Sequence, residues 1–248
     1  MKSDESDNLD TRKPHAILDL ESRRKKGLKI ERLLKLGSRT DRFRMLEIGA
    51  GSGGISHYFA THPSLDVEVE AVDVVDNRQV ADGYRFQLVS GTSLPFADEQ
   101  FDVVLTNHVI EHVGDRSAQM HHLQEVRRVM RSNAIGYLAV PNRWRIVEPH
   151  YKLAFLSWLP HSWRSGYLRL RNGGDFYDCE PLAVTEVDTL LREAGFRYEN
   201  LCVSSVRATV DIELAGTLSG KAVTAIPDGL IFALRGLVPT LIFRFERA

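Results

Sequence analysis

The sequence has few cysteines and almost no excess charge, and each shortage excludes a class of protein. Cys179 and Cys202 are its only cysteines, too few and too far apart for a disulfide framework or a zinc module, so we expect a reducing, cytoplasmic compartment. The formal net charge of -1 supplies no overall field that would hold the chain on a polyanion. We therefore expect no nucleic-acid partner.

Long apolar runs are also missing. Residues 1–13 are mostly polar or charged, so we expect no signal peptide. The most apolar segment, 222–243, is interrupted by two prolines and two charged residues, whereas a spanning helix needs about 20 largely apolar residues. We predict that this segment is buried and that no segment is transmembrane. Peripheral contact with a membrane surface stays open as an alternative.

Short apolar runs alternate with longer helical patterns after residue 41, which is typical of a parallel sheet with crossover helices. The predicted strands are 43–48, 67–72, 85–89, 101–106 and 135–140. Helical spacing of apolar residues predicts helices over 12–37, 117–131 and 184–194. Residues 196–214 are predicted to form a strand, with 239–245 as its hairpin partner.

The pattern breaks between residues 141 and 180, which we interpret as an insertion. Eight aromatic residues occur there among arginines, glycines and prolines: Trp144, Tyr151, Phe155, Trp158, Trp163, Tyr167, Phe176 and Tyr177. The predicted organisation is a flexible tail over 1–10 and a single domain over 11–248. That domain comprises an N-terminal helical segment (11–40), a core (41–140), the insertion (141–180) and C-terminal helices and strands (181–248).

Two polar clusters in predicted helices are interpreted as surface features. The basic run Arg23–Lys26 is predicted to be a solvated helix face, with phosphate or acidic-surface binding as the alternative. His121 and His122 are predicted to be surface or boundary residues.

A glycine-rich turn after the first predicted strand is the strongest local signal. Residues 45–54 read MLEIGAGSGG, a strand that runs into a turn and then a helix. Gly49, Gly51 and Gly54 also satisfy the G-x-G-x-x-G spacing of dinucleotide sites, so the turn alone does not select the ligand. Glu47 does, because a carboxylate there would repel a pyrophosphate but suit the ammonium and sulfonium groups of S-adenosylmethionine.

Asp73 ends the second predicted strand, 22 residues past Gly51. A carboxylate at that point can accept hydrogen bonds from both hydroxyls of an adenosine ribose. NAD-binding folds share this feature, so Asp73 indicates a nucleoside-like ligand without naming it. A helix cap or turn residue is the structural alternative.

Four ordered motifs resemble the small-molecule class I S-adenosylmethionine-dependent methyltransferases called type 11. They are residues 46–53, Asp73, 94–105 and 109–113, within a match that covers roughly 43–140. The resemblance implies an α/β fold: a Rossmann-like, doubly wound, mostly parallel seven-stranded sheet with helices on both faces, a C-terminal antiparallel hairpin and an aromatic-rich insertion after the fifth strand. It also implies a methyltransferase that converts S-adenosyl-L-methionine to S-adenosyl-L-homocysteine.

The resemblance also implies roles for single residues at the cofactor. Glu47, Gly49 and Gly51 would border the methionine moiety, and Asp73 would hold the ribose. Val74 would pack on the adenine, and Thr92, with the backbone of Gly91, would lie near its edge. Asn107 would approach the methionine amino group through its backbone carbonyl. The implied cofactor set is Glu47, Gly49, Ala50, Gly51, Gly53, Asp73, Val74, Ser90, Gly91, Thr92, Asn107 and His108. Many relatives carry Asp where Ser90 aligns, so we expect weaker affinity or a different bonding arrangement there.

Residues 108–112 read HVIEH, which matches the H-x-x-E-H pattern of inverted zinc metalloproteases. Zinc would need both histidines on one helical face and a third ligand. The motif instead follows directly on a predicted buried strand, so we predict no metal site.

Methyl transfer from a sulfonium depends chiefly on alignment and on exclusion of water, and a base is needed only if the acceptor starts protonated. The candidate catalytic residues are His112, after the fourth strand, and His150 and Tyr151, in the insertion; His150 is preferred. The aromatic residues favour a mostly apolar small-molecule pocket. Five arginines there could recognise a phosphate or carboxylate or could be solvated: Arg143, Arg145, Arg164, Arg169 and Arg171.

The predicted function is therefore methyl transfer to a small-molecule acceptor, with O-methylation of a natural product, a quinone-like compound or a lipid-linked sugar preferred. A non-catalytic methyltransferase-like subunit and an NAD-dependent oxidoreductase are the alternatives. A protein or nucleic-acid methyltransferase is disfavoured because no Asn-Pro-Pro-Tyr-like element occurs. The sequence does not indicate an oligomeric state; the N-terminal helix and C-terminal tail are the predicted contact surfaces of any dimer.

Overall fold

The computed structural model describes residues 19–148 and 150–248. Its strands are β1 (Phe43–Ile48), β2 (Val67–Asp73), β3 (Arg85–Leu88), β4 (Phe101–Asn107), β5 (Met130–Pro141), β6 (Phe196–Asn200) and β7 (Thr240–Arg247). Its helices are α1 (Leu20–Leu34), α2 (Gly54–Ala60), α3 (Arg116–Val129), α4 (His161–Leu170), α5 (Val184–Glu193), α6 (Cys202–Glu213), α7 (Leu218–Thr224) and α8 (Asp228–Ala233).

The seven strands form one sheet in the order β3-β2-β1-β4-β5-β7-β6. Strands β1 to β5 are parallel, and β7 runs antiparallel to both β5 and β6. This confirms the predicted Rossmann-like, mostly parallel sheet with a C-terminal antiparallel hairpin. The chain leaves β1 toward β2 on one side and returns to β4 on the other, so the carboxyl ends of β1 and β4 flank the switch point where such sheets bind ligands.

Helices cover both faces of the sheet, and the sheet separates the core into two layers. Leu123 of α3 and Leu190 of α5 are fully buried in the layer on one face. Ile30 of α1 and Phe59 of α2 are fully buried in the other. Strand β4 is buried at every position because both of its faces are covered.

The predicted first helix begins at Leu20 within the described residues, where the Asp19 side chain accepts hydrogen bonds from the backbone of Glu21 and Ser22. It ends at Lys35, in the left-handed region with φ 58°, rather than at Gly37. Residues 12–18 of the predicted helix and the predicted tail over 1–10 lie outside the described residues.

The predicted strand over 196–214 is wrong beyond its first five residues. β6 ends at Asn200, and α6 follows over Cys202–Glu213. Cys202, Ser205 and Ala208 are buried at a three-residue spacing, so this segment has a helical period that its β-branched residues obscured.

The prediction that segment 222–243 is buried is also wrong for most of its length. In and around α8 the side chains of Leu230, Phe232 and Leu237 are 49%, 49% and 66% exposed, whereas Ile231 is buried and continuous burial begins in β7. The short helices keep one face on the protein, which leaves the other apolar side chains in solvent. None of the helices in the described ranges is long and apolar enough to cross a membrane.

Candidate active site

The glycine turn after β1 has a backbone conformation in which residues other than glycine would be strained. Gly49 and Gly53 have φ angles of 81° and 77°. A Cβ on Gly49 would lie 2.4 Å from a methyl carbon of Val109, and one on Gly53 would lie 2.4 Å from the carbonyl oxygen of Val80. The backbone N–H groups of Gly49 and Ala50 both donate to the carbonyl of Val72, which fixes the turn against β2.

Asp73, at the end of β2, connects the second strand to this turn. Its Oδ2 accepts a 2.8 Å hydrogen bond from the N–H of Gly51, and its Oδ1 accepts a 2.7 Å bond from the N–H of Val74. Asp73 therefore does serve as a turn residue, and its carboxylate lies directly beside the glycine turn. Next to it, the side chains of Val74 and Val75 are 47% and 52% exposed and form an apolar surface.

Glu47 lies beneath the turn with only 2% of its surface exposed. One carboxylate oxygen accepts a hydrogen bond from the Ser56 hydroxyl of α2. Burial raises the pKa of Glu47 to about 8, against the opposing effects of the Ser56 bonds and the charge of Arg23. A positively charged group placed beside this buried acid would stabilise its ionised form.

Arg23 of α1 lies over the start of α2 beside this turn, and Lys26 follows it on the same helix; neither was predicted to be a site residue. A Cβ on Gly54 would lie 2.6 Å from the Cβ of Arg23, so α1 lies directly on the start of α2. Burial, together with the charges of Lys29 and Arg23, lowers the pKa of Lys26 to about 8. The predicted wholly solvated face is therefore wrong for Arg23 and Lys26, although Arg24 is 65% exposed.

A sequence signal for this inward face exists. Gly27 and Ile30 are buried at helical spacing from Arg23, so the positions share one face of α1. The spacing was missed because Arg23 is followed by three further cations, which made the whole run resemble a solvated face.

The loop after β3 supplies the predicted adenine-edge residues. Thr92 lies within hydrogen-bond distance of His121, with 2.6 Å between Oγ1 and Nδ1. A Cβ on Gly91 would meet no described atom within 4 Å, and Ser90 is exposed. The space beside Gly91 and Ser90 is therefore open to solvent, and a ligand could approach the loop there.

The turn after β4 contains buried oxygens whose hydrogen-bonding capacity is unused. Among the described residues, Asn107 Oδ1 and Glu111 Oε2 are buried without a hydrogen-bond partner. His108 has a φ of 60° and its Nδ1 lies 3.3 Å from the other oxygen of Glu111. Buried acceptors without donors are costly, so this turn would be stabilised by a ligand that carries N–H groups.

His122 is buried, which corrects its predicted surface position. It is 1% exposed, and its Nε2 lies 3.0 Å from the Thr106 hydroxyl of β4. It falls on the buried stripe of α3 with Leu123 and Val126, whereas its neighbour His121 is exposed.

The segment between β5 and α5 has a small core of its own and exposed aromatic side chains. Leu156, Leu168, Tyr177 and Cys179 form the buried cluster. The exposed aromatic residues of this segment are Trp144, Phe155, Trp158, Trp163 and Phe176. Among them, the ring of Trp158 makes edge-on contacts with the rings of Trp144 and Phe155.

Two of the five arginines in this segment have structural partners. Arg143 pairs with Glu186 of α5 at 2.8 Å. Arg164 is 4% exposed and pairs with Glu180 at 3.3 Å. Arg169 and Arg171 are exposed at the end of α4.

The three predicted catalytic residues meet where this segment contacts the turn after β4. The rings of His112 and His150 are 5.0 Å apart. The Nδ1 of His150 lies 2.8 Å from a carboxylate oxygen of Glu148, and the Tyr151 hydroxyl donates to Asp178 at 2.8 Å. Burial lowers the pKa of His150, but the bond to Glu148 and nearby carboxylates outweigh burial and raise it.

Cys179 belongs to the same cluster and was not identified from the sequence. Its Sγ lies 3.6 Å from Nδ1 of His112 and 3.6 Å from Nδ1 of His150. The two histidines and Cys179 are distant in sequence, so no local motif indicates their meeting. Cys179 and Cys202 are both buried and free.

Together, the turns at the carboxyl ends of β1, β2 and β4 form one composite edge. It combines the Asp73 carboxylate, an exposed apolar surface at Val74, the buried acid Glu47 and the unpaired oxygen of Asn107. Such a set suits a ligand with a ribose, a flat apolar base and an ammonium group, and therefore fits S-adenosylmethionine.

Comparison with known proteins gives matches over the same region. Residues 46–138 match the family model of a methyltransferase domain. The ubiquinone biosynthesis O-methyltransferase of Parvibaculum lavamentivorans is 26% identical over 180 residues, which cover 68% of this chain and 64% of that protein. The sarcosine/dimethylglycine N-methyltransferase of Aphanothece halophytica is 32% identical over 98 residues, 36% of this chain and 34% of that protein. The chain thus spans about one third to two thirds of these relatives' lengths.

Solved structures share the fold at lower identity. The 1,6-didemethyltoxoflavin-N1-methyltransferase of Burkholderia thailandensis, solved with 1,6-didemethyltoxoflavin and S-adenosylhomocysteine, aligns with a TM-score of 0.52 and 16% identity. The alignment covers 93% of this chain and 80% of that structure.

Proposed function

We propose that this chain, whose residues 46–138 match the family model of a methyltransferase domain, transfers a methyl group from S-adenosylmethionine to a small-molecule acceptor. The observation that carries the proposal is the position of Asp73. Its carboxylate lies at the switch point of the sheet and is bonded to the glycine turn. A ribose held there would place the rest of the cofactor along the ends of β1 and β4.

Each end of the cofactor has candidate partners in this arrangement. Asp73 accepts the ribose hydroxyls, the exposed face of Val74 packs on the adenine, and the loop with Ser90, Gly91 and Thr92 borders the adenine edge. S-adenosylmethionine supplies an electrophilic methyl group when bound.

The methionine end lies deeper, between the turns after β1 and β4. Glu47 and Asn107 offer oxygens to its ammonium group, and the backbone at Gly49, Gly51 and His108 allows close approach. Arg23 of α1, held over the start of α2 beside the glycine turn, adds a cation that suits its carboxylate, and Lys26 supplies a second cation on the same helix.

We place the acceptor on the side formed by the turn after β4 and the segment 141–180, which we assign to substrate recognition. His112, His150 and Tyr151 are the polar side chains proposed to contact it. Exposed aromatic residues nearby supply apolar surface, as small-molecule sites require. We prefer an oxygen acceptor on a natural product, a quinone-like compound or a lipid-linked sugar, because these polar groups suit a hydroxyl. The role of His150 as a base stays a prediction.

The test is calorimetric titration of the purified chain with S-adenosylmethionine, S-adenosylhomocysteine and NAD. We expect one-site binding of both sulfur ligands and a loss of affinity of about tenfold or more in Asp73→Asn, since a hydrogen bond to a charged group contributes about 1.5–3 kcal/mol. Asn keeps the shape of the side chain and an oxygen for the N–H of Gly51. Asp76→Asn is the matched control, because Asp76 pairs with Arg78 outside the turn.

The outcomes separate the proposed function from its alternatives. Binding of NAD alone would identify an oxidoreductase. Binding of none of the three ligands would favour a non-catalytic subunit that uses the aromatic segment to hold a partner.

A further inference from the structure

Cys179 and two histidines form a cluster with the spacing of a metal site. The thiol sulfur lies 3.6 Å from the Nδ1 atoms of both His112 and His150. One ligand atom from each of the three side chains lies within 4.8 Å of the others. Three parts of the fold meet here: the turn after β4 with His112, the first part of the segment that follows β5 with His150, and the irregular stretch before α5 with Cys179.

These distances match tetrahedral coordination of zinc. Zinc bonds of about 2.3 Å to thiolate sulfur and about 2.0 Å to imidazole nitrogen, at a tetrahedral angle of about 109°, hold the two ligand atoms about 3.5 Å apart. We propose that His112, His150 and Cys179 bind a zinc ion. The site is not the H-x-x-E-H motif, since His108 faces Glu111 instead, and it departs from the sequence prediction of no metal.

The surroundings carry the negative charge that a divalent cation would offset. Glu111 and Glu148 are 0% and 2% exposed, and Asp178 Oδ1 lies 3.4 Å from the thiol sulfur. Buried carboxylates are costly unless they are paired or coordinate a metal. The cluster gathers these two buried carboxylates and the partly buried Asp178 around one thiol and two imidazoles.

The carboxylates also lie where they can orient the histidines. Glu111 Oε1 is 3.9 Å from Nε2 of His112, the ring nitrogen other than the one near Cys179; this is longer than a hydrogen bond but within ion-pair range. Metal-binding histidines commonly direct their second nitrogen to a carboxylate, and Glu111 is the carboxylate on that side. Glu148 is itself fixed by the N–H groups of His150 and Tyr151, at 2.8 and 2.7 Å.

Binding exchanges protons for metal bonds without any redox change. A zinc–sulfur bond and two zinc–nitrogen bonds form, while the S–H bond and the hydrogen bond between His150 Nδ1 and Glu148 break. The thiol proton passes to solvent, and each histidine coordinates as a neutral imidazole that carries its proton on Nε2. Asp178 is the nearest carboxylate for a fourth ligand, and its hydrogen bond from Tyr151 would hold it in place.

A zinc-bound His150 is not free to accept a proton, so the zinc site and the proposed base role of His150 exclude each other, whereas cofactor binding is independent of both. The zinc site can be tested without an acceptor. The full chain, dialysed against a chelator, is titrated with Co²⁺, whose complexes with thiolate absorb strongly, and the Co²⁺ is then displaced with Zn²⁺. We expect one Co²⁺ per chain, a sulfur-to-cobalt absorption band, loss of that band on addition of Zn²⁺, and a rise in melting temperature with Zn²⁺.

Two variants remove ligands and two serve as controls. Cys179→Ser should lose the band, and His112→Gln, a change at a side chain that is 25% exposed, should weaken Co²⁺ binding at least about tenfold. Cys202→Ser removes the other buried cysteine, and His121→Gln removes an exposed histidine; both should bind as the parent does.

The same sulfur–nitrogen distances would fit thiol hydrogen bonds, which would give neither the band nor the thermal shift. Absence of both in the parent chain overturns the zinc site, as does an unchanged band in a folded Cys179→Ser or His112→Gln variant. The cofactor titration is read separately, so failure of one proposal leaves the other intact.

Discussion

At the scale of single residues, the glycine turn combines a left-handed backbone at its glycines with a buried acid, Glu47, beneath it. Gly49 and Gly53 hold left-handed backbone where a side chain would collide with Val109 or Val80. Glu47 lies beneath this turn with 2% of its surface exposed, and burial is the main cause of its raised pKa. A carboxyl group protonated near neutral pH in the free protein can become a carboxylate when a cationic ligand arrives.

Glu47→Gln should change how stability depends on pH. The pKa of Glu47 is 4.5 in the unfolded reference and about 8 in the folded protein, so the unfolded chain loses the proton first. Its contribution to stability is therefore present below about pH 4.5 and is lost as pH rises to about 8. Glutamine does not titrate, so the variant should gain stability relative to the parent over this window, by on the order of a few kcal/mol.

Urea unfolding at pH 5, 6.5 and 8 measures this difference. Glu199→Gln, on the exposed side of β6, is the control and should show no comparable trend. A parallel pH dependence of Glu47→Gln and the parent would contradict the assignment of a protonated buried acid.

At the scale of elements, α1 packs on the start of α2 beside the glycine turn as well as on the sheet, and we propose that it contributes to the cofactor site. It lies on the start of α2, where the Cβ of Arg23 approaches Gly54. Arg23 Nε is buried and has no hydrogen-bond partner among the residues that the structure describes. An anionic group of a ligand would satisfy it.

Arg23→Ala should lower the affinity for S-adenosylmethionine about 10- to 100-fold, because it removes a charged hydrogen-bond donor to the methionine carboxylate. Arg24→Ala is the matched control on the same helix, since Arg24 is 65% exposed and pairs with Glu21. Calorimetry on both variants tests the claim. Equal losses in the two would show that α1 acts only through its overall charge.

At the scale of the whole molecule, β7 joins the last part of the chain to the cofactor-binding sheet. It lies between β5 and β6, and Leu241, Phe243 and Phe245 are buried in the same layer as α3 and α5. The antiparallel hairpin therefore completes one core and does not form a separate unit.

Gly136→Ala should destabilise the entire protein, because a Cβ on this residue of β5 would lie 2.0 Å from the ring of Phe245. We expect a loss of about 1–3 kcal/mol or more in the free energy of unfolding. Gly166→Ala in α4 is the control: a Cβ there meets nothing within 4 Å, so a gain of about 0.4–1 kcal/mol is expected. Chemical denaturation followed by both circular dichroism and tryptophan fluorescence would measure both changes. A stability of Gly136→Ala equal to that of the parent would refute the close packing of β5 on β7.

The sequence alone determined the parts of this protein whose signals are local. β1 was predicted with its observed bounds, and the glycine turn and the acid at the end of β2 were recognised, because a strand, a tight turn and its glycines follow one another in the chain. The same local reasoning failed at 196–214, where β-branched residues in α6 imitated a strand. It also failed at Arg23 and His122, where charge and polarity outweighed the helical spacing that buries them.

Only the tertiary structure decided which distant residues meet. Cys179 is separated from His112 by 67 positions and from His150 by 29, and the path between them includes β5 and α4. No periodicity encodes that meeting, since it depends on how the segment after β5 folds back onto the turn after β4. The packing of whole elements decides how this segment folds back, so the proposed acceptor side could be recognised only in the fold. The proposed cofactor side could be predicted from the sequence, because most of its residues follow one another in the chain.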